Sequence, residues 1–234
     1  MKSTILDKTK LVNSVFSKVY KKYDLMNDIM SFGIHRIWKD KFIDWMNPSQ
    51  NAKLIDVASG TGDIAKLFSK RNNYVPEITC IEPNNEMFRE GKNNLKDYKN
   101  IKWINAKAES LPVKDNVYDF YSISYGIRNV TDINKSLREA YRVLKPGGRF
   151  MCLEFSKIDN EVLNFFYKNY SKTIPIIGKY VVGSSKPYDY LVKSIKEFYD
   201  QKQLLELLVK NGFSNVEYRN LSNGVSAIHS GWKI

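Results

Sequence analysis

Short apolar strands alternate with helical segments between residues 53 and 155, and this alternation limits the fold more than any other feature. Buried strands are short runs rich in Ile, Val and aromatic residues, whereas helices repeat apolar residues every three or four positions. The strand-like runs are residues 53–58, 77–82, 101–106, 117–124 and 149–155, and the helix-like segments are residues 64–71, 86–95 and 132–144. This order predicts a parallel sheet covered by helices on both faces, with a ligand-binding edge where the strands end.

Further segments flank this alternating core. Residues 7–46 carry apolar side chains at helical spacing, and the predicted helical segment ends before Pro48. The alternation stops after Phe155, and residues 159–186 are rich in aromatic and apolar side chains. Two further helices are predicted at residues 188–198 and 200–211, and a closing hairpin is predicted from strands at residues 216–221 and 225–230.

Composition excludes several classes of protein. The chain has 234 residues, of which 43% are hydrophobic, so a sizeable core is available. Two cysteines and two histidines cannot form a disulfide framework and argue against a zinc site, so no metal is predicted. No run approaches the roughly 18–20 apolar residues that span a bilayer, and the first residues lack the apolar segment of a secretion signal. We therefore expect a reduced, intracellular compartment.

The net charge is strongly positive, because 37 Lys and Arg residues face 25 Asp and Glu residues, which gives +12. Such a charge favours an anionic partner, which could be nucleic acid, anionic lipid or an acidic small molecule. Charge alone does not choose among these partners.

A glycine-rich loop follows the first predicted strand and leads directly into a helix. Its residues include Asp56, Gly60, Thr61 and Gly62. Glycines let a ligand approach the backbone closely, and the following helix N-terminus offers N–H groups. Glu82 ends the next strand 20 residues after Gly62, where a carboxylate can accept hydrogen bonds from both hydroxyls of a ribose. The loop predicts a nucleoside-binding half-sheet, and taken alone it fits a nicotinamide dinucleotide as well as S-adenosylmethionine.

Three later segments favour S-adenosylmethionine. They are residues 107–112 after the third strand, residues 118–124 in the fourth strand, and residues 144–148 before the fifth. Their order resembles class I methyltransferases, which hold adenine just after the third strand. A length of 234 residues also leaves little room for the second domain that is common in nicotinamide dehydrogenases.

Longer blocks of the chain resemble the UbiE/MenG family of ubiquinone/menaquinone-biosynthesis C-methyltransferases. The matching blocks are residues 16–39, 125–132, 144–157, 188–195 and 229–234. The resemblance covers about residues 10–234. The N-terminal block and the Arg128-Asn129-Val-Thr-Asp132 block are the specific ones, whereas the glycine loop is common to many proteins.

This resemblance implies an α/β fold with a Rossmann-like, seven-stranded class I methyltransferase sheet. The sheet would be mostly parallel, with a C-terminal antiparallel strand. It also implies a single methyltransferase domain over residues 1–234. That domain would begin with a helical N-terminal cap (residues 1–50) and a cofactor-binding core (residues 51–156). A helical and aromatic substrate-side insertion after strand five (residues 157–199) and a C-terminal helix with a hairpin (residues 200–234) would follow.

The family implies methyl transfer from S-adenosylmethionine to a ring carbon of a polyprenylated quinol. The quinol would be 2-methoxy-6-polyprenyl-1,4-benzoquinol, demethylmenaquinol or both. The residues implied to bind the cofactor are Asp56, Gly60, Thr61, Gly62, Glu82, Lys107, Ala108 and Ser124.

Three positions depart from the family pattern. Ser59 replaces the usual Gly, Glu82 replaces the usual Asp, and Lys107 replaces the usual Asn or Asp. A lysine side chain cannot accept a hydrogen bond from the adenine amino group. We therefore expect backbone contact at Ala108 rather than a side-chain role for Lys107.

Ring methylation needs a phenolate, because a ring carbon is a poor nucleophile while its hydroxyl groups keep their protons. A phenol pKa lies near 10, so a cation or base must favour the ionised form at neutral pH. Within the resemblance, Arg128 would stabilise the phenolate and Asn129 would hold the second ring oxygen. Tyr23 and His35 would come from the N-terminal cap, which closes over the ring.

Each of these residues also has a structural interpretation. Arg128 would cap the next helix or pair with Asp132, and Asn129 would be a turn residue. Tyr23 would be a core tyrosine, and His35 would be a buried structural histidine.

Two rival functions stay open from the sequence. One rival is a methyltransferase acting on RNA or on another small molecule. The positive charge suits RNA, although Ser124-Tyr-Gly-Ile-Arg stands where amino-group methylases carry Asn/Asp-Pro-Pro-Tyr/Phe. The other rival is a non-catalytic scaffold that binds cofactor or lipid in a quinone-biosynthesis complex. We expect no nucleic-acid partner. We expect a cytoplasmic protein in salt-sensitive, peripheral contact with the anionic inner face of the membrane, or a matrix protein in a mitochondrion. A homodimer and contact with other quinone-biosynthesis proteins are compatible with the sequence.

Overall fold

One seven-stranded sheet organises the chain in a computed structural model, which describes residues 12, 17, 28, 31, 33–49, 51–71, 76–158 and 186–234. The strands are β1 Leu54–Val57, β2 Ile78–Ile81, β3 Ile101–Ile104, β4 Tyr118–Ser124, β5 Leu144–Phe155, β6 Ser214–Leu221 and β7 Ser226–Trp232. Their order is β3-β2-β1-β4-β5-β7-β6. Strands β1 to β5 pair in parallel, and β7 runs antiparallel to both β5 and β6. The predicted Rossmann-like, mostly parallel sheet is confirmed.

The helices whose bounds the structure describes are α1 His35–Met46, α2 Asp63–Arg71, α3 Asn85–Asn94, α4 Ile133–Val143, α5 Lys186–Glu197 and α6 Gln201–Lys210. Three of them, α3, α4 and α6, begin after a capping side chain. Asn84 and Asp132 each accept a hydrogen bond from a backbone N–H in the first turn of α3 and α4. Asp200 and Gln203 form a reciprocal capping box at α6. Short 3₁₀ turns lie at Ile127–Asn129 and Ser222–Gly224.

The core lies on both faces of the sheet, which is why β1 and β2 are buried along their whole length. On one face, Trp38 and Phe42 of α1 pack with Phe68 of α2. On the other face, Leu137 of α4 packs with Leu204 of α6 and their apolar neighbours. Among the described ranges, no helix is both long and apolar enough to cross a membrane.

Two predicted elements differ from the structure. Gly33 adopts a φ of +75° in a turn before α1, so the predicted helical segment over residues 7–46 is not continuous. Strand β5 begins at Leu144 rather than at residue 149, and residues 145–148 extend it. The C-terminus explains this extension, because the backbone of Lys233 exchanges hydrogen bonds with Gly147 and Gly148. The aromatic residues 159–185 lie outside the described part of the chain.

The segments that follow β1 and β4 approach each other closely at the point where the strand order reverses. Ala58 and Tyr125 both adopt a left-handed conformation there, with φ values of 54° and 53°. A Cβ atom on Gly126 would lie 2.6 Å from the Cβ of Ala58. Only glycine at position 126 therefore permits this approach, and the resulting crevice is the ligand-binding edge expected for such a sheet.

We expect Gly126→Ala to lower the free energy of unfolding by about 1–3 kcal/mol, because the new methyl group overlaps Ala58. Urea denaturation followed by circular dichroism measures the change. In the double variant Ala58→Gly/Gly126→Ala the clash partner is gone and position 58 gains the residue that suits a positive φ. That variant should recover most of the lost stability, and a double variant as unstable as Gly126→Ala would contradict the explanation.

Candidate active site

Two adjoining cavities open at the edge of the sheet where β1, β2 and β4 end. The larger cavity has a volume of about 830 Å³, which includes space open to solvent, and is lined by Val12, Ala58, Gly60, Glu82, Pro83, Asn84, Met87, Lys107, Ala108, Glu109, Tyr125, Gly126, Asn129, Val130 and Thr131. The smaller cavity is lined by Lys39, Asp56, Ala58, Ser59, Gly60, Thr61, Asp63, Ile64, Ser124 and Tyr125. Three residues, Ala58, Gly60 and Tyr125, line both cavities. The site is thus divided into two connected compartments.

The glycine loop forms the wall between the compartments. Gly60 and Gly62 have φ values of +58° and +92°, which are conformations that favour glycine. A Cβ on Gly62 would lie 2.5 Å from Leu95, so the loop packs directly on the segment after α3. Thr61 is buried against the smaller cavity. The predicted loop residues therefore all stand at or beside the cavities.

Glu82 leaves the end of β2 and faces the larger cavity. Its Oε2 accepts a hydrogen bond from the Gly60 N–H, and its Oε1 accepts one from the Asn84 N–H, both at 2.9 Å. Burial raises the pKa of Glu82 to about 7, although these two backbone donors oppose that shift. Each carboxylate oxygen keeps a second lone pair, which is what a ribose hydroxyl requires.

Asp56 lies within β1 and faces the smaller cavity. Its Oδ1 accepts a hydrogen bond of 2.6 Å from Ser122, while its Oδ2 has no partner among the described residues. Burial raises the pKa of Asp56 to about 7. The buried hydroxyl of Ser124 also has no partner among those residues. The smaller cavity is therefore lined by polar groups that a ligand can satisfy.

The segment after β3 supplies the remaining predicted cofactor residues. Ala108 is buried and Lys107 is exposed, and both line the larger cavity. The neighbouring Glu109 accepts hydrogen bonds from the backbone N–H groups of Thr131 and Asp132, at 2.7 and 3.2 Å. This contact fastens the segment after β3 to the segment after β4, so the larger cavity has two fixed walls.

Arg128 is deeply buried rather than exposed at the cavity surface. Its Nη1 lies 2.5 Å from Oε1 of Glu154 and donates to the carbonyl oxygen of Tyr125 at 2.7 Å. Burial raises the pKa of Glu154, and the charge of Arg128 opposes this shift. Asp132 caps α4 through its own carboxylate. The prominent partner of Arg128 is thus Glu154, which the sequence did not indicate.

Asn129 lines the larger cavity and anchors α5 to it. Its Oδ1 accepts a hydrogen bond of 2.9 Å from the hydroxyl of Tyr190. The structure therefore links Asn129 to Tyr190, a residue that sequence reasoning did not single out beyond its place in a matching block.

The N-terminal predictions are tested only in part. Tyr23 lies outside the described residues. His35 is 2% exposed, and its Nδ1 lies 2.9 Å from the hydroxyl of Ser31. Burial, together with the nearby Lys39, lowers the pKa of His35 to about 4, so its ring is neutral at physiological pH. These contacts suit a structural histidine. No group of three or more side chains suited to a metal ion occurs within the described ranges.

The buried carboxyl of Asp56 should make stability depend on pH. Its folded pKa of about 7 exceeds the ordinary value of 3.8, so the folded state holds a proton that the unfolded state releases between these values. This contribution to the free energy of unfolding falls as the pH rises through that window. His35 and His229 act in the opposite direction, because burial lowers each pKa to about 4.

As the pH rises from 5 to 8, we therefore expect the free energy of unfolding of Asp56→Asn to fall less, or to rise more, than that of the wild type. Urea unfolding at the two pH values measures the difference. The control is Asp97→Asn, which changes an exposed carboxylate and should keep the wild-type pH dependence. An Asp56→Asn variant with the wild-type pH dependence would show that Asp56 titrates normally.

Comparison with known proteins identifies close relatives. The model of the ubiE/COQ5 methyltransferase family matches residues 3–233. The chain is 51% identical to the ubiquinone/menaquinone biosynthesis C-methyltransferase UbiE of Rickettsia bellii, over 97% of this chain and 94% of that protein. It is 46% identical to the protein of the same name from Brucella abortus, over 97% and 87% of the two chains.

Solved structures share the fold at low sequence identity. A SAM-dependent methyltransferase from Thermotoga maritima superposes with a TM-score of 0.66 at 18% identity, over 94% of this chain and 99% of that one. A Haemonchus contortus phosphoethanolamine N-methyltransferase bound to S-adenosylhomocysteine gives a TM-score of 0.62 at 12% identity, over 84% and 52% of the chains. These structural similarities establish the fold. Because the family model matches residues 3–233, the chain belongs to the ubiE/COQ5 methyltransferase family.

Proposed function

We propose that the protein transfers a methyl group from S-adenosylmethionine to a ring carbon of a polyprenylated quinol. The substrate is 2-methoxy-6-polyprenyl-1,4-benzoquinol, demethylmenaquinol or both. The observation that carries this proposal is the two-compartment cavity, with Glu82 in one part and Asp56 in the other, in a chain half identical to proteins named for this reaction. Methyltransferase activity and the cofactor agree with the family and with the fold.

The residues of the site fit S-adenosylmethionine. Glu82 offers acceptor lone pairs for ribose hydroxyls, and Ala108 offers backbone for adenine next to the exposed Lys107. The orphaned Oδ2 of Asp56 and hydroxyl of Ser124 offer polar partners beyond the glycine loop. When bound, the cofactor supplies an electrophilic methyl group on a sulfonium. The glycine loop and the ends of the strands hold these protein groups in place before the cofactor binds, which favours binding in one orientation.

Activation of the ring is assigned to the segment after β4. Asn129 reaches the larger cavity with its amide, and Tyr190 fixes the orientation of that amide. Arg128 lies next to Asn129 and stabilises phenolate charge as it forms. The buried ion pair with Glu154 also holds Arg128, and with it the segment after β4, in position. The family resemblance also assigns Tyr23, which lies outside the described residues, to the closing of the site over the ring.

An RNA methyltransferase is the weaker alternative. Cys80 and Cys152 are both buried, and burial raises the pKa of each thiol, so neither supplies the thiolate of a pyrimidine C5 methylase. The segment after β4 carries the Arg128-Asn129 pair and not the Asn/Asp-Pro-Pro-Tyr/Phe motif.

The decisive experiment is incubation with methyl-labelled S-adenosylmethionine and a panel of acceptors. The panel contains short-tailed benzoquinols, short-tailed naphthoquinols and RNA. Transfer to a quinol ring supports the proposal, and the ratio between the two quinol classes defines the substrate. Transfer to RNA alone would favour the rival methyltransferase. Cofactor binding without transfer to any acceptor would favour the scaffold.

The place of action is proposed to be the cytoplasm, or the mitochondrial matrix in a eukaryote, at the anionic inner face of a membrane. An exposed basic groove beside the edge strand β3 supports this contact. Its cationic residues are Arg89, Lys92, Lys96, Lys99 and Lys102. Basic residues near an anionic surface contribute about 1 kcal/mol each and are screened by salt. A homodimer and association with other quinone-biosynthesis proteins belong to the same proposal.

We expect vesicles containing anionic lipid to bind the protein at low salt and to release it at high salt. Lys96→Glu/Lys99→Glu should weaken this binding, because two exposed cations of the groove become anions. Lys202→Glu/Lys210→Glu makes the same charge change on α6 and serves as the control. Flotation assays measure both. Equal binding to neutral and anionic vesicles would contradict the electrostatic explanation.

We expect Arg128→Ala to lower both stability and kcat. The loss of stability should be about 3–5 kcal/mol, because the buried Glu154 loses its partner. The loss of kcat should be about 10²-fold or more, on the scale of removing an oxyanion donor, and it should shrink as the pH approaches the phenol pKa. Arg128→Lys keeps the charge and should retain partial activity.

A double variant separates the two roles of Arg128. Arg128→Met/Glu154→Leu replaces the buried ion pair with apolar side chains and should restore most of the stability. If Arg128 stabilises the phenolate, this stable variant should remain slow. Steady-state kinetics with a short-tailed quinol, alongside thermal melts, provide the measurement. Wild-type kcat in the double variant would assign Arg128 a purely structural role.

A further inference from the structure

We propose that Tyr190 of α5 is a positioning residue for the reaction, because it turns the side-chain amide of Asn129 so that an N–H group points into the larger cavity and donates to a ring oxygen of the substrate. This inference rests on the proposed function, since it assumes that a quinol ring occupies that cavity. It adds the form in which the ring is bound: one ring oxygen accepts a hydrogen bond, as a phenolate oxygen does.

Tyr190 lies against the short turn that carries Arg128 and Asn129. Its hydroxyl donates a hydrogen bond of 2.9 Å to Oδ1 of Asn129. Burial raises the pKa of Tyr190, and the charge of Arg128 opposes this shift. The hydroxyl therefore keeps its proton at neutral pH, and the hydrogen bond to Asn129 uses that proton.

The direction of the Asn129 amide follows from its two neighbours. Its Nδ2 donates to the carbonyl oxygen of Tyr125 at a longer distance of 3.4 Å. Because a carbonyl oxygen can only accept, the NH₂ group must lie on that side and Oδ1 on the side of Tyr190. The reversed amide would bring two acceptors together at Tyr125. Tyr190 and Tyr125 thus select one of the two amide orientations.

The Tyr125 carbonyl oxygen also connects this contact to the buried ion pair of Arg128 and Glu154. Nη1 of Arg128 donates to the same oxygen at 2.7 Å. A continuous series of hydrogen bonds therefore runs from Glu154 through Arg128, the Tyr125 carbonyl and Asn129 to Tyr190. Buried polar networks of this kind hold their members in one geometry. The amide is therefore fixed from both ends before a substrate binds.

This orientation leaves a donor for the ligand. An asparagine NH₂ group has two N–H donors, and the Tyr125 carbonyl engages one of them. Among the described residues, the structure gives the second N–H no acceptor, and Asn129 lines the larger cavity. A donor binds an ionised oxygen more strongly than a neutral hydroxyl. The arrangement therefore favours the phenolate form of the ring, which is the form that reacts.

The competing interpretation is that the Tyr190 hydroxyl only fastens α5 to the sheet. A fastening contact affects stability, and any effect on the rate is then independent of what residue 129 is. A positioning contact acts on the rate only through the amide of Asn129. The two interpretations therefore differ in how substitutions at positions 190 and 129 combine.

Steady-state kinetics with a short-tailed quinol, measured across a range of pH, provide the first test. We expect Tyr190→Phe to lower kcat about 3- to 30-fold, on the scale of one hydrogen bond, and to change the KM values of quinol and cofactor less than about threefold. Weaker phenolate stabilisation raises the pKa of the bound phenol, so the rise of kcat with pH should move to higher pH. Tyr199→Phe removes the hydroxyl of an exposed tyrosine just after α5 and should keep wild-type kinetics.

A double-mutant cycle provides the second test. If Tyr190 acts through Asn129, Tyr190→Phe should not lower kcat further in the Asn129→Ala background. If the hydroxyl only fastens α5, the two reductions of kcat should multiply. Multiplying reductions overturn the proposal, and so does a Tyr190→Phe variant with the wild-type kcat and pH profile.

Failure of this inference and failure of the proposed function give different results. A wild-type protein that methylates no quinol contradicts the proposed function and with it the role of Tyr190. A wild-type protein that methylates a quinol, while Tyr190→Phe matches it at every pH, contradicts only the role of Tyr190.

Discussion

The close approach of the segments that follow β1 and β4 is the constraint on which the site depends. In a sheet ordered β3-β2-β1-β4-β5, the chain leaves β1 and β4 in opposite lateral directions, so a crevice opens between them. Gly126 lets the two segments touch, and the left-handed Ala58 and Tyr125 turn the chain away on each side. These residues form the junction between the two cavities, so the junction fixes where one half of a ligand ends and the other begins.

Three buried acids surround this junction, and burial raises the pKa of each: Asp56, Glu82 and Glu154. Their partners differ in kind. Glu82 is held by backbone N–H groups, Glu154 by the guanidinium of Arg128, and Asp56 by one serine hydroxyl, with its other oxygen unpartnered among the described residues. Glu154 is therefore satisfied within the protein, whereas Asp56 and Glu82 retain acceptor capacity toward the cavities. Perturbed carboxyl groups with this capacity are typical of a ligand site.

Sequence periodicity was sufficient for the alternating core, because its central strands β1 and β2 are buried along their whole length and its strands are separated by turn residues. The predicted strand 53–58 and helix 132–144 each enclose the observed β1 and α4 within two residues per end. The partner of Arg128 could not be predicted in this way. Glu154 lies 26 residues away and meets Arg128 only through the parallel pairing of β4 with β5. A glutamate inside an apolar strand does signal a buried partner, but the sequence does not say which one.

Local hydrogen bonds accommodate two of the three departures from the family pattern, and the third lies at an exposed position. Ser59 donates its hydroxyl to the carbonyl oxygen of Asp56 at 2.6 Å, so the added group binds backbone within the loop. The longer side chain of Glu82 reaches the N–H groups of Gly60 and Asn84 together and ties the glycine loop to the end of β2. Lys107 projects from an exposed position beside the cavity. A decayed site would be free to fill Asp56 and Glu82 with cheaper apolar residues. The presence of both buried acids, with acceptor capacity open to the cavities, favours a working cofactor site over a scaffold.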